Sequence, residues 1–159
     1  MSGFGPVVAA LRDERVRYLL VRMGTGSVAA PDATVLRAHY HELFLPPEPG
    51  NALRAWRACE AAGLELWAGG EPLGSPLDLW LAEHVVAGRV RVRATDRKGL
   101  LVDLSLLVEG FEFDDLWPGR RSSTIDGVEV PFAEARPQAS EPAEPTALRL
   151  LLPPPPGFG

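Results

Sequence analysis

Cysteine is all but missing from this chain: Cys59 is the only one among 159 residues. That excludes an intrachain disulfide and a cysteine-based zinc site, and it suits a reducing cytoplasm. A basic excess is missing as well. The 16 Lys and Arg face 21 Asp and Glu, for a net charge of −5, which argues against broad nucleic-acid binding through a cationic surface. A local cationic pocket for a nucleotide stays open. No stretch approaches the ~20 consecutive apolar residues that a membrane span needs. The N-terminus, Met1 through Pro6, has neither the basic flank nor the apolar run of a signal peptide. Internal repeats are absent too. What the chain does have is 46% hydrophobic residues, enough for one domain with a core of its own.

Proline divides the chain in two. After Phe132 come Pro137, Pro142, Pro145 and the run from Pro153 to Pro156, and no apolar periodicity is sustained there. Repeated prolines remove donors and block both helix and central strand. Residues 1–132 are therefore expected to fold as one domain, and residues 133–159 to form a proline-rich disordered tail.

Within residues 1–132 helix and strand signals alternate. Residues 6–14 suit a short helix with Val7, Val8 and Leu11 on one face, and residues 16–23 a strand. Gly24, Thr25, Gly26 and Ser27 read as a turn, residues 39–45 as a second strand closed by Pro46 and Pro47. Asn51 is placed to cap a helix over 52–62 that Gly63 ends, and residues 64–67 form a short strand. Ser75, Pro76, Leu77 and Asp78 have the chemistry of a helix start. Residues 89–96 and 100–108 form a hairpin through Arg97, Lys98 and Gly99. That register sets Val92 opposite Leu104 on an apolar face. On a polar face it sets Arg93 opposite Asp103 and Arg91 opposite Ser105. Asp126 and Gly127 turn a further hairpin. The mixture predicts an α/β (α+β) fold, a mixed sheet flanked by helices.

Two acids stand out. Asp103 is alone in the apolar stretch 100–108, and Glu42 lies on the strand 39–45. A carboxylate in an apolar strand is costly to bury without a partner such as a metal ion. Gly24, Gly26 and Ala29 superficially fit a dinucleotide fingerprint, but Pro31 interrupts the helix that pyrophosphate would need. His39 and His41 supply only two ligands on one strand face, so they read as surface imidazoles rather than a zinc site. Trp56, Trp67, Trp80 and Trp117 read as core and rim packing. Asp114 and Asp115 suit a short helix start.

Gly26 and Ser27, then twelve residues, then Tyr40, His41, Glu42 and Leu43 resemble the signature of the nucleotidyltransferase superfamily related to polymerase beta. The likeness is greatest to its small prokaryotic, antitoxin-paired members and runs over residues 6–132. It implies transfer of a nucleoside monophosphate from a nucleoside triphosphate to a protein, RNA or small-molecule acceptor, with Mg2+ as cofactor and an antitoxin as a possible partner. Glu42 would match the family's second acid and Asp103 the third, both holding metal and serving catalysis. Gly26 and Ser27 would cradle phosphate, and Arg93 would approach it. Tyr40 stands where the first acid belongs, and a phenol is no substitute for a carboxylate on a hard metal at neutral pH. The basic helix expected after the last hairpin is replaced by the proline tail. The alternative is a catalytically inactive nucleotide-binding or protein-interaction module of the same fold. A plainer reading makes Glu42 a solvated strand-end acid and Arg93–Asp103 an ordinary cross-strand ion pair.

Overall fold

The computed structural model describes residues 3–23, 37–74, 76–108 and 110–135. Helix α1, Gly5–Asp13, has proline in its first turn and buries Val7, Val8 and Leu11, where Pro costs nothing because that turn has no intrahelical acceptor for its N–H. Strands β1, Leu19–Met23, and β2, Tyr40–Phe44, follow. Helix α2, Pro49–Ala61, starts earlier than Asn51 capping predicts: Glu48 is the N-cap and Pro49 opens the helix. Asn51 is instead buried inside the helix, where it grips the chain before β1, accepting from Arg17 N at 2.7 Å and donating to Arg17 O at 2.9 Å. Gly63, at φ +89°, lets the chain leave the helix.

A two-residue turn at Gly69 and Gly70, both at positive φ, joins β3, Glu65–Ala68, to β4, Glu71–Pro72. Helix α3, Leu79–Ala87, is capped by Asp78, whose side chain accepts from Leu81 N at 3.0 Å. The cap is thus Asp78, where the predicted start used Ser75, which lies outside the described residues. Strands β5, Val92–Thr95, and β6, Leu101–Ser105, form the predicted hairpin. Asp96 pins its loop by accepting from Lys98 N at 2.8 Å and Leu100 N at 3.0 Å. After the short helix α4, Phe113–Leu116, and one 3-10 turn, β7, Arg121–Ile125, pairs with β8, Val128–Ala135. Asp126 and Gly127 turn that hairpin at φ +55° and +79°. Strand β8 continues past Phe132, where the folded part was expected to stop. The predicted tail from 136 onward lies outside the described residues, as does the glycine turn with Gly26 and Ser27.

The eight strands make one mixed sheet in the order β4-β3-β5-β6-β2-β1-β8-β7. Pairs β2/β6 and β1/β8 are parallel, the others antiparallel. The fold is α+β, as the sequence predicts. Helices α1 to α3 cover one face, where Phe4, Leu11, Trp56, Leu43, Val102 and Leu104 belong to one buried cluster. The other face is covered only in part, by α4 and Trp117 over Leu19, Val21 and Phe44. Its remainder, across β2, β6, β5 and β3, carries polar side chains. No described helix is long and apolar enough to cross a membrane.

Two side chains depart from expectation. His41 is not a surface imidazole: it is 5% exposed and stacks on Phe4 with ring centroids 3.7 Å apart. Strand alternation sends it to the helix-covered face, opposite Tyr40 and Glu42. Trp80 is 65% exposed and lies against the His84 ring rather than in the core.

Candidate functional site

The uncovered face is organised by strand register. Trp67 pairs with Arg93, Arg93 with Asp103, and Asp103 with Glu42. One row thus crosses four strands with an indole, a guanidinium and two carboxylates side by side. Period-two alternation adds Tyr40 below Glu42 and Ser105 above Asp103 on the same face. The structure therefore brings Glu42, Asp103 and Arg93 together. Gly26 and Ser27 lie outside the described residues.

Asp103 is the centre of the row, and its side chain is only 1% exposed. Arg93 holds it with two parallel bonds, Nε to Oδ1 at 2.8 Å and Nη2 to Oδ2 at 3.1 Å. Tyr40 donates its hydroxyl to Oδ2 at 2.9 Å. Burial by itself pushes the Asp103 carboxyl upward. The Arg93 and Tyr40 hydrogen bonds, with the charges of Arg93 and Arg91, outweigh it and hold the group below the usual carboxylate range. The same geometry works on Tyr40, whose phenol burial, the Asp103 bond and the nearby carboxylates push up to about 12. Tyr40 is thus a neutral donor to the acid.

Glu42 is 12% exposed at its side chain, so it is not a solvated strand-end acid. Ser105 donates to its Oε2 at 2.9 Å. Arg91 lies 3.7 Å from Glu42 and 4.0 Å from Asp103, spanning the two acids without a tight bond to either. The sequence placed Arg91 opposite Ser105 but gave it no role, and it read Trp67 as core or rim packing. The signal was available: alternation along 89–96 puts Arg91 and Arg93 on one face. Beyond the row, Trp67, Gly69, Gly70, Val90, Arg91, Arg93 and Thr95 line an open groove of about 610 Å3, within the size range of small-molecule sites.

This donor set fits guanidinium better than a divalent cation. Magnesium demands near-octahedral oxygen ligation, yet both Asp103 oxygens already accept charge-assisted bonds from Arg93, and Arg91 lies within 4.0 Å of both acids. Among the described residues no group of three or more His, Cys, Asp or Glu is placed to hold a metal. An ion between Glu42 and Asp103 would need Arg93 and Arg91 to swing away first.

No family model matches the chain, and neither a curated protein nor a solved structure matches it; the likeness to nucleotidyltransferases rests on the motif residues alone.

Proposed function

We propose that this chain is a nucleotide-binding module on a nucleotidyltransferase-like sheet, holding a nucleoside triphosphate through arginine rather than magnesium. One observation carries the reading: Arg91, Arg93 and Trp67 line a single groove, and Asp103 behind them is held by Arg93. Arg91 is 55% exposed at its side chain and bonded tightly to neither acid, so its guanidinium is available to a phosphate. Arg93 is fixed by Asp103 and presents a pre-oriented positive edge. The Trp67 indole offers a face on which a base stacks.

A second reading, metal-dependent nucleotidyl transfer, is favoured by the register of Glu42 against Asp103 on one sheet face. It requires the guanidinia to yield their carboxylates to ions and Tyr40 to stand where an acid is needed. Incubation with labelled nucleoside triphosphates and magnesium separates the two. Saturable binding without label transfer, weakened by Arg91→Gln, supports the module. Transfer that is lost on Asp103→Ala supports the enzyme, and the absence of binding overturns both.

A further inference from the structure

Polar chemistry changes in order along the open face of β3 and β5. Glu65 pairs with Thr95, and Trp67 pairs with Arg93. Arg91 stands two residues before Arg93 on the same face. Each step of two residues is ~7 Å. A carboxylate, an indole beside a guanidinium, and a second guanidinium thus follow one another along the groove.

Arg93 is the informative residue. Asp103 takes its Nε hydrogen and one from Nη2, at 2.8 and 3.1 Å. A guanidinium has five N–H donors, so three remain, and no other group among the described residues takes them. Two of the three form the end of the side chain, one on Nη1 and one on Nη2. The third, on the side of Nη1 away from Asp103, stays for phosphate. Pinned by Asp103, which offsets its charge, that end is a rigid pair of donors suited to two neutral acceptors side by side. N7 and O6 of guanine are such a pair.

The next step along the row supplies the complement. Glu65 lies beyond Trp67 on the same face, and its one ion pair among the described residues is with Arg97 at 3.0 Å. The Arg97 side chain is 85% exposed, and exposed pairs of this kind are weak. The carboxylate is therefore open to two parallel N–H groups, such as those on N1 and the amino group of guanine. Thr95 adds no donor at this end, because its hydroxyl is directed to Asp96 O at 2.9 Å and Leu100 O at 2.8 Å. A base stacked on Trp67 thus meets donors on one edge and acceptors on the next, with its phosphates towards Arg91. Adenine sets its amino group against the Arg93 donors and an unprotonated N1 against the Glu65 carboxylate. It fails on both edges.

We infer, resting on the nucleotide-binding reading above, that the groove selects guanine: Arg93 reads N7 and O6, Glu65 reads N1–H and the amino group, and Trp67 carries the ring. The test is calorimetric titration of the full chain with guanosine, adenosine and xanthosine triphosphates, in the wild type and in Glu65→Gln. Xanthine carries an oxygen where guanine carries the amino group, so it suits a glutamine amide and repels a carboxylate. The wild type should prefer guanosine to adenosine triphosphate by about tenfold or more. Glu65→Gln should lose that preference and bind xanthosine triphosphate about tenfold better than the wild type does. That gain separates lost recognition from lost folding. Equal affinity for guanosine and adenosine triphosphates in the wild type would overturn the guanine assignment and leave the nucleotide-binding reading standing. So would a guanine preference that survives Glu65→Gln, or a variant that gains nothing for xanthosine triphosphate. No binding of any of the three would overturn both.

Discussion

Glu42 and Asp103 are register partners on adjacent parallel strands, and each is met by a different set of donors. Asp103 takes Arg93 and Tyr40, Glu42 takes Ser105, and Arg91 spans the gap. An acid pair that outlines a metal site in sequence is, in the fold, a charge-balanced row. Several measurable properties follow from that balance.

Asp103→Asn removes the charge but keeps the shape. It should cost about 2 kcal/mol in urea unfolding at neutral pH, less than a fully buried pair because the Arg93 side chain is 48% exposed. The pH dependence has a definite sign. The folded Asp103 carboxyl titrates below its unfolded value. Its stabilisation is therefore complete above the unfolded value of about 3.9 and is lost as pH falls through the folded value. The gap between wild type and Asp103→Asn should hold steady down to about pH 5 and shrink below pH 4.

Tyrosine ionisation reports the same site from the alkaline side. The chain has two tyrosines. Burial raises Tyr18 strongly, and Tyr40 is raised to about 12. Ultraviolet titration of the folded protein should show no phenolate near the ordinary value of 10, and Tyr40→Phe should remove the earlier of the two steps. A Tyr40 phenol titrating near 10 would mean that the burial and the bond to Asp103 that raise it do not hold in solution.

On the helix-covered face, burial against Phe4 lowers the His41 pKa, with the bond to Ala38 O opposing in part. The unfolded chain therefore takes up the proton first, so His41 favours folding above about pH 6.5 and less as pH falls below it. Proton NMR should place the His41 midpoint below 6.5. Phe4→Ala should move it back towards that value and cost about 3 kcal/mol through the cavity it leaves.

Local chemistry was legible in the sequence where one short segment decides the outcome. The β5/β6 register follows from a glycine-ended loop and an apolar alternation, and it correctly paired Arg93 with Asp103. The Asp126-Gly127 turn is of the same kind. Legibility failed where a side chain had two uses. Asn51 has good capping chemistry, but Pro49 opens the helix upstream and frees the amide for Arg17. Asp78 took the α3 cap because its carboxylate reaches Leu81 N. His41 could not be read as buried without knowing that α1 packs over β2, a contact between segments far apart in the chain. Alternation puts Arg91 on the face of Arg93, but its reach to Glu42 depends on β2 lying beside β6, a pairing of distant segments that periodicity alone does not set.

The most direct test of the central claim is the affinity for a nucleoside triphosphate with magnesium and with a chelator in its place. A site that holds phosphate through Arg91 and Arg93 should bind equally well in both, with Arg91→Gln weakening both by about tenfold. Binding that appears only with magnesium, and vanishes on Asp103→Ala, would contradict the account.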